Sequence, residues 1–568
     1  MKKIKKLRNY RLLSIVFFYL LISVIMYQLY KRDFIWNGDD IYYHFQRILG
    51  LSDNFNNGLL ASNISISNFG VIGNGVNIFY PWLTLIPFRI FFQFTRNWIS
   101  AYYFGILFYF FVSFLISHYS MKKFSSSTKN AVIFSIIYNF SIYRLIDIFT
   151  RGAVAEYIAT IFLPLCFLGF YEVFFGDEKQ WKTLATGMIL IIYTHVLTTF
   201  MSIIFFTLVS ILFIPKLKLN KNRIMNFGKA AIATIGSTLI FTVPFMTEEL
   251  FQKYGVPDKQ KLVGLNFKQL IYESIINNSR RSVEGNIYNV GLTIILALII
   301  GILVFRRFSF LYKSLYCIFV ASFLFTTNLF PWHLLQNTPI EVIQFPYRFL
   351  MFATLFGAII LTQSIGILFK NQLNTNFPII LLILVIFNSV MWESSIINGN
   401  KGVLLASPKL DITQKMVNEN RVPSTNLLQY IPDAMQSSFE LALAHQIFIN
   451  KKSSVQIPTI KNHSDEFYVG NIKRNDKIDL PFVKYKYTKA QINGQKVPIT
   501  MSKRGFVELI VPKDTKSATI NLSYGNHNLF MCAEILSILT WIYLFCSKYF
   551  IRWFKKLKSQ TNSVSISF

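Results

Sequence analysis

Apolar stretches long enough, or nearly long enough, to cross a lipid bilayer recur along this chain, and no other feature limits its possible folds so sharply. They lie near 12–29, 99–118, 131–146, 155–175, 183–197, 198–214, 228–246, 289–305, 311–327, 348–369, 377–391 and 528–547. A helix needs roughly 20 apolar residues to cover the hydrocarbon thickness, so several of these runs have soft ends. In lipid no water satisfies a backbone N–H or C=O, and a helix satisfies them within its own segment. These runs imply an all-α polytopic membrane protein of about 12 transmembrane helices.

Composition agrees. Of 568 residues, 53% are hydrophobic and only 15% charged, against roughly 25% charged in a soluble protein. Phe, which hydrocarbon accepts readily, occurs 58 times. The formal charge of +30 raises the question of nucleic acid, but its distribution argues against it. Much of the excess lies between apolar runs: Lys2, Lys3, Lys5, Lys6 and Arg8; Lys122, Lys123 and Lys129; Lys216, Lys218, Lys221 and Arg223; Arg306 and Arg307; Lys555, Lys556 and Lys558. Cytoplasmic loops facing anionic lipid carry this pattern. Cys166, Cys317, Cys532 and Cys546 all sit in apolar runs, so no disulfide is expected in a long polar segment. The basic start and following apolar run resemble a signal peptide. However, Leu12–Leu29 is long and lacks a small-residue cleavage pattern, so it reads as the first span.

Phe79–Phe94 is apolar but contains Pro81, Pro87 and Arg89. Placed in the outer interface rather than across the membrane, it leaves nearly every basic loop on one side. Both termini are then cytoplasmic. The expected organisation is a multi-span membrane domain over 1–391 with an external first loop at 31–98. An extracytoplasmic domain at 392–527 follows, then a last helix and basic tail at 528–568. The second half of 392–527 alternates as strands do, in Phe482–Tyr487, Ala490–Ile499, Phe506–Val511 and Ala518–Leu522. Asn493-Gly494 between two such runs signals a hairpin. A β-rich module is therefore expected, preceded by a more helical stretch at about 409–446.

Ionisable groups at membrane depth are expensive and tend to mark function. On the outer side the first loop carries Asp39, Asp40, His44 and Arg47; the segment after the third run carries Tyr143, Arg144, Asp147, Arg151 and Glu156. His195 lies at the outer end of the fifth run, Glu248 and Glu249 end the seventh, and Pro346-Tyr347-Arg348 opens the tenth. Asp40, His44 and Arg47 are spaced i, i+4, i+7 and share a helix face. Arg151 and Glu156 are near enough to pair or to reach one cavity. Each also has a plainer explanation. Asp40, His44 and Arg47 fit a solvated juxtamembrane face, and Arg151 with Glu156 fits a structural ion pair. His195 fits a hydrogen-bonded packing residue, Arg348 a snorkelling cation, and the glutamates a solvated helix end. Their gathering on one side favours a functional site.

At these residues the chain resembles a family of bacterial membrane proteins labelled "6-pyruvoyl-tetrahydropterin synthase-related domain, membrane protein". With that family it resembles the C-type glycosyltransferases (GT-C) and YfhO-like membrane proteins, but not the soluble pterin enzyme. The segments that carry the resemblance are Gly38-Asp-Asp40-Ile-Tyr-Tyr-His44-Phe-Gln-Arg47, Phe79-Tyr-Pro81, Tyr143-Arg-Leu, Arg151-Gly-Ala-Val-Ala-Glu156, Pro164-Leu, His195, Pro244 and Pro346-Tyr-Arg348. The external module is YfhO-like around Ile492-Asn-Gly-Gln495, but Gln429-Tyr430-Ile431-Pro432 stands where relatives often have Glu-Tyr-Leu-Pro.

The resemblance implies a GT-C-like fold and transfer of a sugar from a polyprenyl-phosphate-linked donor to a cell-envelope glycan acceptor at the outer membrane face. The family's first-loop acid falls on Asp40 and its His on His44. Asp40 is then the general base, or the ligand of a divalent cation if one is used. Arg151 and Arg348 would hold the donor phosphate, His44 and Glu156 would orient groups, and Asp39, Arg47 and His195 would contact substrate. The alternatives are a transporter or flippase of lipid-linked glycans and a non-catalytic cell-wall-binding membrane protein. A transporter should place its charges near the midplane on paired broken helices.

Overall fold

The computed structural model describes residues 2–56, 63–65, 67–217, 220–255, 260–279, 288–406, 411–423, 428–450, 452–461, 464–524 and 527–564. Lys218 and parts of the stretch 409–446 lie outside the described residues.

Every apolar run forms a helix, but run length and helix length differ. Six helices are long and apolar enough to cross a membrane: Tyr10–Tyr30, Trp98–Ser125, Val154–Phe174, Lys221–Phe251, Pro346–Leu368 and Asn528–Cys546. A seventh span results if Thr128–Asn139 and Ile142–Thr150, bent by 48°, count as one. Among the described residues this is the length-based count, against the expected twelve. Val196–Leu212, Phe310–Phe325 and Phe377–Glu393 are shorter apolar helices. Trp181–Ile192 and Leu292–Val304 are shorter still, with 12 and 13 residues. The runs 183–197 and 198–214 meet at a turn at Tyr193–His195, where the His195 side chain caps the next helix. Leu83–Thr95 is likewise too short to span and packs along Trp98–Ser125, with Phe88 fully buried.

The bend in 131–146 lies beside a buried cation. The Arg144 guanidinium turns into the bundle, donating to Thr160 Oγ1 at 3.0 Å, Asn139 Oδ1 at 2.6 Å and Ser113 Oγ at 2.9 Å. A single wide turn of π-helix follows at Ile146–Thr150, closed by Arg151 N–H donating to Ile146 O at 2.8 Å. Such turns interrupt helices at functional positions. Here the turn sets Asp147 and Arg151 side by side.

The C-terminal region is β-rich, as expected, and its strands begin earlier than the alternation suggests. In chain order the strands are β1 (Phe34–Ile35), β2 (Ile412–Thr413), β3 (Gln446–Ile449), β4 (Lys452–Val455), β5 (Thr459–Lys461) and β6 (Ser464–Ile472). Then come β7 (Lys477–Val483), β8 (Thr488–Ile492), β9 (Gln495–Val497), β10 (Ile499–Met501), β11 (Phe506–Ile510) and β12 (Thr515–Tyr524). Two five-stranded antiparallel sheets form, ordered β10-β11-β7-β3-β4 and β5-β6-β12-β8-β9. Between them lies a core that includes Phe467, Leu480, Leu509 and Ile520. Asn493 and Gly494 turn β8 into β9 with φ of 48° and 80°, the left-handed pair that a tight hairpin requires.

Two joints fasten this sandwich to the helices. The β1–β2 pair matches Phe34 with Thr413 and Ile35 with Ile412, stitching the first loop to the start of the C-terminal region. Glu248, at the end of the long helix, is fully buried and accepts from Lys486 N–H at 3.2 Å, Tyr524 Oη at 3.3 Å and Tyr254 Oη at 3.4 Å. The expectation of a solvated Glu248 is thus corrected.

Candidate functional site

A cavity of about 1020 Å³ opens where the first loop, the broken helix and the C-terminal region meet. All five polar segments singled out from the sequence reach it. They contribute Asp39, Asp40 and His44, then Arg151 and Glu156, His195, Glu249, and Arg348.

Its floor is an ion-pair hub. The Arg151 Nη1 group donates to Asp147 Oδ1 at 2.9 Å and to Glu156 Oε2 at 2.8 Å, while Nη2 donates to Asp40 Oδ2 at 3.3 Å. Glu156 also accepts from Tyr143 Oη at 2.8 Å, and Arg348 Nε lies 3.7 Å from its other oxygen. The backbone builds this contact too, with Asp40 N–H donating to Arg151 O at 2.8 Å. Glycine makes the approach possible on both sides. A Cβ on Gly38 would meet Arg151 O at 2.6 Å, and one on Gly152, whose φ is +67°, would meet Ile41 Cβ at 2.5 Å. The first-loop segment and the Arg151–Glu156 segment therefore fit one another.

Asp40 is the accessible carboxylate of the hub, its side chain 42% exposed against 0% for Asp147 and 3% for Glu156. It lines the cavity yet is closely surrounded by protein. That desolvation raises its pKa above the ordinary carboxylate value, Arg151 opposes the rise, and Asp39 adds to it. His44 is buried with Nδ1 unpartnered among the described residues. Burial, then the Arg47 guanidinium, hold its imidazole well below its usual pKa, so it is neutral at pH 7.

Two expected substrate contacts have other surroundings. Arg47 does not line the cavity; it donates to Pro81 O at 2.6 Å and stacks 4.1 Å from the centre of the Tyr80 ring. His195 does line it, but its Nδ1 bonds Thr198 Oγ1 at 2.7 Å and caps the following helix. Arg348 is buried rather than snorkelling. Its Nη1 donates to Ile343 O at 2.7 Å and Gln344 Oε1 at 3.1 Å, and it faces the cavity.

Aromatic walls complete the cavity; Tyr43, Phe79, Tyr347 and Tyr430 lie in segments noted from the sequence, whereas Tyr288 does not. Tyr288 and Tyr347 stack at 3.5 Å, with the Arg151 guanidinium 5.7 and 5.6 Å from their centres. Tyr430 is stacked against Tyr43 at 6.0 Å and Phe79 at 6.1 Å. Gln429 and Tyr430 thus bring the C-terminal region into the cavity wall, held by Gly255 N–H donating to Ile431 O at 2.9 Å. Lys261 adds a cation at the rim. Tyr288 and Lys261 come from distant parts of the chain and have no local signature beyond being aromatic or polar.

Among the described residues no three His, Cys, Asp or Glu side chains are placed to hold a metal ion. A scan against protein-family models gives no match for this chain, and no curated protein is significantly similar to it.

Proposed function

We propose that this chain is a multi-pass membrane glycosyltransferase whose cavity opens on the extracytoplasmic side, where the β-sandwich also lies. It would move a sugar from a polyprenyl-phosphate-linked donor to a cell-envelope glycan acceptor. One observation carries this reading: an accessible carboxylate, Asp40, shares a roomy, partly aromatic cavity with a buried guanidinium, Arg348, and both adjoin helices apolar enough for lipid.

In this mechanism Asp40 takes the proton of an acceptor hydroxyl, and its raised pKa suits it to that work. The hydroxyl oxygen attacks the anomeric carbon, the bond from that carbon to the phosphate oxygen breaks, and the electron pair leaves with the lipid phosphate. Arg348 stabilises the released charge, for which its forked N–H groups are suited, and Lys261 adds long-range attraction. Arg151 is a poor phosphate ligand because three carboxylates already occupy its terminal nitrogens. Tyr43, Tyr80 and Tyr430 supply flat faces and hydroxyls suited to a sugar ring.

The test compares envelope glycans from cells with the wild-type protein, without it, and with Asp40→Asn at normal protein level. Loss of one sugar substituent in both the deletion and the variant is expected. A deletion that loses the substituent while Asp40→Asn keeps it would overturn the assignment in favour of transport or scaffolding.

A further inference from the structure

A divalent ion at Asp40 is one way the proposed chemistry could obtain its fixed positive charge. The donor set does not fit such an ion. A Mg²⁺ or Ca²⁺ site needs several oxygens at about 2.0–2.6 Å from one point. Here the three carboxylates that converge, Asp40, Asp147 and Glu156, are aimed at nitrogens of one guanidinium at 3.3, 2.9 and 2.8 Å. The second oxygen of Glu156 is taken by Tyr143.

We propose that Arg151 is the resident cation of the cavity, holding Asp40, Asp147 and Glu156 where a metal ion would otherwise be needed, so that the site works without one. Three features single Arg151 out. Its side chain is 4% exposed, so its charge is not shared with bulk water. It is covered by the stacked rings of Tyr288 and Tyr347. The main chain also sets Asp40 beside it, through the Asp40 N–H to Arg151 O bond. Arg151 is therefore a positioning residue: it acts on the acceptor through Asp40. That last role rests on the transferase reading, whereas occupation of the metal position does not.

The experiment is Mn²⁺ titration of the purified full chain in detergent, followed by EPR of free Mn²⁺, for wild type, Asp40→Asn, Arg151→Ala and Arg151→Gln. Wild type and Asp40→Asn should show the same weak, non-specific uptake. Removing the guanidinium leaves the buried Asp147 and Glu156 and the accessible Asp40 without their shared cation, so the Arg151 variants that elute monodisperse should bind Mn²⁺ about tenfold more tightly or better. Stoichiometric uptake by wild type that Asp40→Asn abolishes would overturn the proposal. So would monodisperse Arg151 variants that bind no better than wild type. If neither variant folds, the comparison of wild type with Asp40→Asn decides. None of these readouts depends on sugar transfer, so an unchanged glycan profile in the deletion would defeat the transferase reading and leave this result standing.

Discussion

Asp40 is tied to Arg151 twice, by a main-chain hydrogen bond of 2.8 Å and by a carboxylate–guanidinium contact of 3.3 Å. Residues 111 positions apart in sequence thus form one unit, in which the backbone fixes the position of a side chain that still meets water.

That unit gives the proposed transfer an acid limit. A base must be ionised, and Asp40 has its carboxyl raised, so activity should fall with decreasing pH above the ordinary Asp value of about 3.9. Asp39→Asn removes a neighbour that raises the pKa, and should move the acid limb to lower pH without changing the alkaline side. The measurement is the pH dependence of substituent formation in washed membranes. An unmoved limb in Asp39→Asn would count against Asp40 as the base.

Gly152→Ala should destabilise the chain by about 1–3 kcal/mol, because it places a Cβ against Ile41 at a φ of +67°. Activity should fall further than stability, since Ile41 follows Asp40 directly. Thermal unfolding in detergent, paired with the glycan assay, separates the two effects.

Asp465 offers a pH test in the sandwich. Its carboxyl is 1% exposed, sits between cross-strand partners Leu522 and Ile460, and is pushed up to about 7 by burial. The folded state therefore binds a proton that the unfolded chain releases near pH 3.9. Stability should be greatest below that value and decline as pH rises to about 7, by roughly 4 kcal/mol at most. Asp465→Asn should flatten this decline and raise the unfolding temperature at pH 8. A steep decline retained by the variant would remove Asp465 as its source.

Glu248→Gln keeps the shape of the joint but not its charge. Losing charge-assisted bonds from Lys486 N–H, Tyr524 and Tyr254 should weaken local stability by about 1–3 kcal/mol. The Lys486 amide should then exchange with deuterium markedly faster, while amides in β6 and β12 keep their protection. Unchanged exchange at Lys486 would show that the joint holds without Glu248.

The polar segments were legible in the sequence because ionised side chains are rare among apolar runs, so each is conspicuous. Their partners were less so. Arg47 shares a helical period with Asp40 and His44, yet its guanidinium is captured by Pro81 and Tyr80. Asp147 was one of several charges in its segment, and only the π-turn set it beside Arg151. Strand β4 was missed because Lys452–Val455 is short, exposed along its length and shows no alternation.

By itself the sequence determined where helices form, where the chain becomes β-rich, and which charged groups stand at helix ends. Hydropathy and turn chemistry are local properties, carried by neighbouring residues. Only the tertiary structure decided how many helices are long enough to span. It also decided that Gln429 and Tyr430 complete the cavity and that one guanidinium gathers three carboxylates. Those outcomes depend on close packing and on pairing buried charges across long sequence separations, which no local pattern encodes.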